Sequence, residues 1–368
     1  MSTATLDSAT LSQLGQSVEL SNIEEELQTL FTGDGETGKG SARASIINLA
    51  IYNENPADLA DDAAVLAEVT GEAACRSLLI CADPSSSESG VDAWVQAHCR
   101  IGRDGKETVC SEQVSFLLRG GSAAQLRNTV FAHLDSDLPL AFWWRGEFSD
   151  TFEARLYTRI DRLLFDSESW ESPRNQLVRL ISARERSKAR FAMHDLAFTR
   201  INAIRQAVAN AFDKPHARQE TDRLREIEIR HKDSHRMSAI YLAAWIANRL
   251  RSELESNAST PDEFRFRSSE VGYPRKLKIR LQPMATKRRG MVEVDFHLPS
   301  SRIEIERCQT KDFYRTRHTS SDNYPEEENW LPAKSATNSL LVTDILTRAG
   351  RNRTHVELLP QVLKMLAL

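Results

Sequence analysis

The chain has 368 residues, of which 40% are hydrophobic and 27% charged, and its formal net charge is −4. This length favours two domains, and the apolar share is too high for a disordered chain. The slightly acidic balance argues against nucleic-acid binding, and the sequence has no run of about 18 apolar residues that could span a membrane. Its 5 cysteines lack CxxC spacing, and its start lacks the basic and apolar regions of a signal peptide. These features predict a reduced cytoplasmic protein.

Residues 1–40 are predicted to form a mobile N-terminal segment with one short helix at 22–31. From residue 41 to residue 172, apolar runs of strand length alternate with helical segments. The predicted strands are 44–52, 76–82, 93–100, 108–118, 138–144 and 162–165, and the predicted helices are 56–70, 122–134 and 152–160. The alternation predicts an α/β domain with a mixed, largely covered sheet.

Residues 173–368 have a different pattern. A mostly helical stretch at 173–211, broken near Met193 and His194, precedes an amphipathic helix at 236–254. Strict alternation of apolar and charged residues then predicts strands at 226–230, 264–267, 276–281, 292–296 and 302–306, with closing helices at 335–349 and 355–366. We expect an α+β domain in which an antiparallel sheet has a dry face covered by helices. Its wet face is expected to carry Glu293 and Asp295.

A glycine-rich stretch at 33–40 nearly matches the phosphate loop G-x-x-x-x-G-K-[ST], but Gly40 stands where a hydroxyl is needed to hold Mg²⁺. A helix precedes this stretch and a strand follows it, whereas a phosphate loop needs the opposite order. We therefore interpret it as a flexible linker. His98 and Cys99 are adjacent in a strand and point to opposite faces, so they cannot chelate one metal ion together. The sequence predicts no catalytic residue, no cofactor and no metal site.

Cys99 and Cys110 are predicted to lie on the two paired strands of one hairpin. Two interpretations stay open. The cysteines form a redox pair, or they are buried free cysteines, which is the commoner situation.

A predicted strand ends with Trp143, Trp144 and Arg145, whose residue types dominate the hot spots of protein interfaces. Successive strand residues face opposite sides, so only one of the two indoles can enter a given core face. Either both are covered within a two-sided sheet, or one of them contacts a partner. Together with Asp137 and Pro139, these residues form the candidate partner interface. The charged wet face of the second-domain sheet is a second candidate.

Several stretches resemble the glucose-6-phosphate dehydrogenase assembly family, OpcA. The matching stretches are 43–49, 93–99, 109–114, 137–145, 161–167, 194–200 and 241–250. Their order along the chain, together with the Asp-Leu-Pro…Trp-Trp-Arg stretch at 137–145, makes the resemblance specific.

The resemblance implies a non-catalytic partner of glucose-6-phosphate dehydrogenase, the NADP-dependent entry enzyme of the oxidative pentose phosphate pathway. Family members are expected to promote the active oligomer of that enzyme or to activate it allosterically. Some photosynthetic members are redox-sensitive through cysteines in the C-terminal part, where this chain has only Cys308. The alternatives are a sugar-phosphate- or nucleotide-binding enzyme or sensor, and a nucleic-acid-binding regulator, which the acidic balance disfavours.

Overall fold

A computed structural model describes residues 11, 13–32, 41–43, 45–101, 108–120, 123–187, 191–268, 275–284, 292–320, 326–334, 336–348, 350 and 352–368. The glycine-rich stretch at 33–40, residues 103–105 between two predicted strands and residues 285–289 lie outside this part. The predicted N-terminal helix is present within it, at 23–32.

The described residues form strands and α-helices in the following order. The strands are β1 Gln16–Val18, β2 Ser41–Arg43, β3 Asn48–Asn53, β4 Arg76–Asp83, β5 Gly90–Ile101, β6 Thr108–Arg119, β7 Leu140–Trp144, β8 Arg162–Phe165, β9 Ala192–Asp195, β10 Glu226–His231, β11 Ser252–Leu254, β12 Glu263–Ser268, β13 Lys276–Pro283, β14 Val292–His297, β15 Ser301–Arg307, β16 Phe313–Ser320 and β17 Glu327–Pro332. The helices are α1 Ile23–Thr32, α2 Leu59–Glu72, α3 Ala123–Ala132, α4 Ala154–Tyr157, α5 Pro173–Arg186, α6 Leu196–Arg200, α7 Asn202–Phe212, α8 Pro215–Glu220, α9 Arg236–Arg249, α10 Asn338–Thr347 and α11 Arg353–Met365.

The chain divides into two compact units that are not consecutive segments. The first unit consists of 1–166, 179–194 and 337–351, and the second of 167–178, 195–336 and 352–368. The sequence-based prediction placed one domain boundary, after residue 172, whereas three separate segments of the chain contribute to each unit. Hydrophobic patterning finds an amphipathic segment but does not show which core the segment joins.

The first unit is built on a sheet with strand order β1-β5-β6-β4-β3-β7-β8-β9, and β2 pairs with β6. The pairs β3–β4, β3–β7, β4–β6 and β7–β8 are parallel, whereas β5–β6 and β1–β5 are antiparallel. Every residue of β3 and β7 is buried, as expected for strands covered on both faces. The prediction of a mixed, largely covered sheet is confirmed.

The core of the first unit contains a chain of aromatic rings next to β7. The ring centroid of Trp144 lies 4.5 Å from that of Tyr52 and 5.5 Å from that of Phe148, and Phe148 lies 4.4 Å from Phe152. Burying each of these large side chains contributes roughly 1.5–3 kcal/mol or more.

The second unit is built on a sheet with strand order β11-β12-β13-β10-β14-β15-β16-β17. Its pairs are antiparallel except β10–β13, which is parallel. Strand β10 alternates strictly between buried and half-buried residues, and the inner row includes Ile227 and Ile229. The predicted α+β unit with an antiparallel sheet is confirmed, apart from the parallel pair β10–β13. Strands β11, β16 and β17 were not predicted from the sequence.

Three predicted elements differ from the structure. Helix α9 is buried from Met237 to Ala247 on all sides, so it is a core helix and not an amphipathic one. The predicted break near Met193 and His194 is strand β9, a neighbour of β8. Helix α10 was expected on the dry face of the second sheet, but it packs against α2 in the first unit. The apolar side chains on one face of α10 could pack against any complementary apolar surface. The sequence pattern therefore does not show which helix or sheet α10 packs against.

Candidate functional site

Trp143 and Trp144 lie in β7, and both are buried, with 1% and 0% of their surface exposed. The indole nitrogen of Trp144 donates to the carbonyl of Glu147 at 3.0 Å. The guanidinium carbon of Arg145 lies 5.0 Å from the ring centroid of Trp143. The structure therefore supports the interpretation in which the two-sided sheet covers both indoles, and neither side chain is available for direct contact with a partner in this conformation.

Asp137, Pro139 and Arg145 keep surface that is accessible to solvent. The side chain of Asn48 donates to the carbonyls of Asp135 at 2.8 Å and Leu138 at 3.0 Å, which holds the turn that carries Asp137 and Pro139. Arg145 follows the opposite end of β7. An extended strand rises about 3.3 Å per residue, so Arg145 lies about 20 Å from Pro139. The structure thus separates the predicted patch into two places, and their role in partner binding stays a prediction.

Arg145 contacts a buried carboxylate at the carboxyl end of the parallel strands. Its Nη1 lies 2.7 Å from Oδ1 of Asp62, whose surface is 0% exposed. The side-chain amide of Asn53 donates to the other oxygen of Asp62 at 2.8 Å. Burial raises the pKa of Asp62 to about 6, although Arg145 and the hydrogen bond from Asn53 act to lower it. Sequence analysis missed Asp62, because a lone Asp in an acidic helical stretch gives no sign of being enclosed.

The order of the parallel strands reverses between β3 and β7, which is where open α/β sheets bind nucleotides. The loop after β3 has no glycine here, and it carries Glu54 and Asp58. Glu54 accepts hydrogen bonds from the hydroxyls of Tyr52, at 2.7 Å, and Ser149, at 2.5 Å. Carboxylates held in this loop would repel a phosphate, and the close backbone approach that glycines allow is missing.

Cys99 and Cys110 lie directly opposite each other on β5 and β6 and are joined by a disulfide. Cys99 is exposed, whereas Cys110 is 1% exposed. The structure therefore contains a bonded pair here and not the two buried free cysteines that were the other interpretation. Whether the pair responds to redox conditions stays a prediction.

The wet face of the second sheet carries ion pairs between neighbouring strands. Arg280 lies 2.9 Å from a carboxylate oxygen of Glu226 and 3.0 Å from one of Glu263. Glu293 and Asp295 were expected to be exposed on this face, but they are 0% and 1% exposed. Asp295 accepts from Nε of Arg302 at 2.9 Å, and Glu293 lies 3.7 Å from Arg230. The long arginine side chains cover the shorter acids, which strand alternation cannot reveal.

An exposed tryptophan lies at one edge of this sheet. Trp330 is 49% exposed on β17, the last strand in the sheet order, and it lies opposite Arg315 of the neighbouring strand β16. Its ring centroid lies 6.5 Å from that of Phe313 at an interplanar angle of 85°. We name Phe313, Arg315, Arg317, Glu328 and Trp330 the Trp330 surface. Sequence analysis missed it, although a lone Trp in a polar stretch was the available signal.

Within the described ranges, no group of three or more His, Cys, Asp or Glu side chains could hold a metal ion. Among the helices that the structure describes, none has the length and apolar character needed to cross a membrane.

The chain is thus a protein of two units: an α/β unit on a mixed sheet, whose loop after β3 has no glycine, and an α+β unit on a mostly antiparallel sheet with charged residues on one face. Two family models match the chain: the glucose-6-phosphate dehydrogenase subunit N-terminal domain over residues 67–182 and the corresponding C-terminal domain over residues 191–359. The chain belongs to the glucose-6-phosphate dehydrogenase assembly family, OpcA.

Curated relatives carry the same family name. The chain is 26% identical over 182 residues to a putative OxPP cycle protein OpcA of Synechocystis, and 24% identical over 169 residues to its namesake in Nostoc punctiforme. These matches cover 48% and 45% of this chain but 37% and 36% of the relatives, so the aligned part spans little more than a third of their length.

Solved structures to which the chain is similar include UDP-N-acetylglucosamine 3-dehydrogenase from Acidithiobacillus ferrooxidans, with TM-score 0.45 and 9% identity, covering 87% of this chain and 95% of that one. An oxidoreductase from Sinorhizobium meliloti has TM-score 0.44 and 10% identity, covering 87% and 86%. Likeness at this level carries no argument about what the chain does.

Proposed function

We propose that this chain binds glucose-6-phosphate dehydrogenase in the cytoplasm and favours its active oligomeric state, without catalysing a reaction itself. The match to both domain models of the assembly family is the observation that carries the proposal. The names of the curated relatives place those proteins in the oxidative pentose phosphate cycle, which supports the same role here.

The loop after β3 supports the non-catalytic part of the proposal. An enzyme or sensor that bound a nucleotide between β3 and β7, where the strand order reverses, would need glycines in the loop after β3 so that the backbone can approach the phosphate. It would also need an accessible helix N-terminus to bind that phosphate. This chain has Glu54 and Asp58 there, and Asp62 is enclosed near the start of α2. The observation disfavours the nucleotide-binding alternative.

Activation requires that the chain bind the active state of the dehydrogenase more tightly than the inactive one. A coupling free energy of about 1–3 kcal/mol would change the apparent substrate affinity roughly 5- to 150-fold. No chemistry by this chain is needed for such an effect.

The Trp330 surface is the contact region that we propose for the dehydrogenase. It combines a half-exposed Trp with two arginines, and interface hot spots are rich in both residue types. Its residues lie on β16 and on the edge strand β17, which the sequence did not predict. They adjoin the predicted wet face, because Arg315 is paired with Glu306 and Arg317 lies 3.9 Å from Glu304. Trp143 and Trp144, in contrast, are buried.

The experiment is a titration of the chain into glucose-6-phosphate dehydrogenase from the same organism. NADPH formation is followed at subsaturating glucose 6-phosphate, and the size of the complex is recorded by light scattering. We expect a saturable fall in apparent KM or a rise in rate, together with a larger complex. Absence of both effects, with the Cys99–Cys110 pair oxidised or reduced, would contradict the proposed function.

Trp330→Ala tests the contact region, with Val178→Ala as the control because Val178 is also a large exposed apolar residue. Removing a hot-spot Trp should weaken the complex at least about 30-fold, which corresponds to roughly 2 kcal/mol. The Val178 variant should bind like the wild type. Equal affinities for the Trp330 variant and the wild type would show that the contact lies elsewhere while leaving the function intact.

A further inference from the structure

Helix α3 and the short helix α4, both in the first unit, border a cleft of about 610 Å³. It is lined by Arg127, Asn128, Phe131, Arg155, Thr158 and Arg159, and we name it the arginine cleft. Its volume falls in the range of small-molecule sites, roughly 300–1,000 Å³. The cleft shares no lining residue with the loop after β3 or with the Trp330 surface.

The spacing of these residues explains why they converge. Arg127 and Phe131 are four residues apart in α3, and residues at that spacing share one face of a helix. Arg155, Thr158 and Arg159 repeat the same spacing at α4, where backbone bonds such as Thr158 N–H to Ala154 carbonyl, at 3.2 Å, continue the turn. Two helical faces that bear arginines therefore border one cavity.

The charge balance of the cleft is positive. Arg127 is paired with Glu153. Arg155 and Arg159 are exposed and have no carboxylate partner among the residues that the structure describes, and Arg159 lies 4.7 Å from the ring centroid of Phe131. Two uncompensated guanidinium groups at one cavity match the charge of a phosphomonoester, which is about −1.5 to −2 near neutral pH.

We propose that the arginine cleft binds the phosphate group of a small phosphomonoester, such as a sugar phosphate. Guanidinium groups bind phosphate oxygens with paired, charge-assisted hydrogen bonds. The hydroxyl of Thr158 donates to the carbonyl of Ala154 at 2.7 Å, so its oxygen is available to accept from a ligand hydroxyl. The Asn128 side chain supplies an amide, and Phe131 supplies an apolar wall.

Calorimetric titration of the purified chain, without any dehydrogenase, tests the proposal independently of the proposed function. The probes are glucose 6-phosphate, glucose and inorganic phosphate. We expect one molecule of glucose 6-phosphate to bind per chain, inorganic phosphate to compete with it, and glucose to give no heat. Binding should weaken between 50 and 200 mM salt, because the attraction is mainly between charges.

The double variant Arg155→Gln/Arg159→Gln should lower the affinity for glucose 6-phosphate at least tenfold. The matched control is Arg174→Gln/Arg186→Gln, which removes the same charge from two exposed arginines of α5. It should bind within twofold of the wild type. Should the double variant fail to fold, Arg155→Gln alone serves, because this side chain has no partner in the described part of the chain.

Three outcomes would overturn the proposal. The wild type gives no binding heat with either phosphate probe, or the cleft and control variants lose affinity equally. The third is that a poly-glutamate peptide binds in a manner that depends on Arg155 and Arg159 while glucose 6-phosphate does not. The cleft would then recognise an acidic protein surface.

Discussion

Asp62 is an acidic side chain that the first unit encloses completely, with Arg145 and Asn53 as its polar contacts. Burial raises its pKa from the ordinary value of 3.8 to about 6. Between these two values the folded state binds more protons than the unfolded state. The contribution of Asp62 to stability is therefore complete below about pH 4 and is lost as the pH rises through about 6.

Asp62→Asn removes this titration while keeping an oxygen that can accept from Asn53. From pH 4 to pH 7 the wild type should lose up to about 3 kcal/mol of its free energy of unfolding that the variant does not lose, since one pKa unit corresponds to about 1.4 kcal/mol. The stability of the variant relative to the wild type should therefore rise with pH by at most that amount. Urea unfolding at several pH values measures it. Asp61→Asn, at an exposed position in the same helix, is the control. A difference that does not vary with pH would contradict the assignment.

Trp144 has a structural role, so its truncation should act on folding. Trp144→Ala leaves a cavity among Tyr52, Phe142 and Phe148 and loses the hydrogen bond to Glu147. We expect the free energy of unfolding to fall by about 3–5 kcal/mol, measured in urea. Trp330→Ala should change it by about 0.5 kcal/mol or less, because that residue is half exposed. Similar stabilities for the two variants would be incompatible with this structure.

At the scale of elements, helix α9 is the buried centre of the second unit, and its N-terminus needs a cap. His235, which precedes it, makes no side-chain capping bond. Glu168 supplies the cap from a distant part of the chain: its carboxylate accepts from the backbone N–H of Ser238 at 2.7 Å and of Met237 at 3.0 Å. The negative charge of Glu168 also interacts favourably with the partial positive charge at the N-terminus of α9.

Glu168→Ala should lower the free energy of unfolding by about 0.5–2 kcal/mol, because two backbone donors lose their acceptor. Glu168→Gln keeps one side-chain oxygen and should cost less. Chemical denaturation of both variants gives the comparison. If Ala and Gln were equally destabilising, the charge alone would matter and the hydrogen-bond explanation would be wrong.

At the scale of the whole molecule, the first unit is completed by a segment from near the C-terminus. Nη1 of Arg162 donates to the carbonyls of Ile345 at 3.0 Å and Leu346 at 3.2 Å, at the end of α10. The side chain of Ser339 donates to Glu68 of α2. Leu341, Val342 and Ile345 are buried. A fragment that ends at 172 therefore lacks part of its own core.

We predict that fragment 41–172 does not unfold cooperatively, because it exposes the apolar surface that α10 covers. A second fragment that carries 179–194 and 337–351 on flexible linkers is the control and should recover a cooperative transition. Circular dichroism during heating measures both. Cooperative unfolding of the shorter fragment would mean that α10 is dispensable for the fold of this unit.

The sequence by itself determined most strands and helices, the change from an α/β to an α+β pattern and the family. Apolar periodicity and a family-specific stretch such as 137–145 are local properties that can be read along the chain. Tertiary structure alone decided that Trp143 and Trp144 are covered, that Asp62 meets Arg145, that α10 joins the first unit and that Arg127, Arg155 and Arg159 border one cleft. Each of these depends on which distant surfaces pack together, and a repeat of apolar residues shows that a face is buried without showing what buries it.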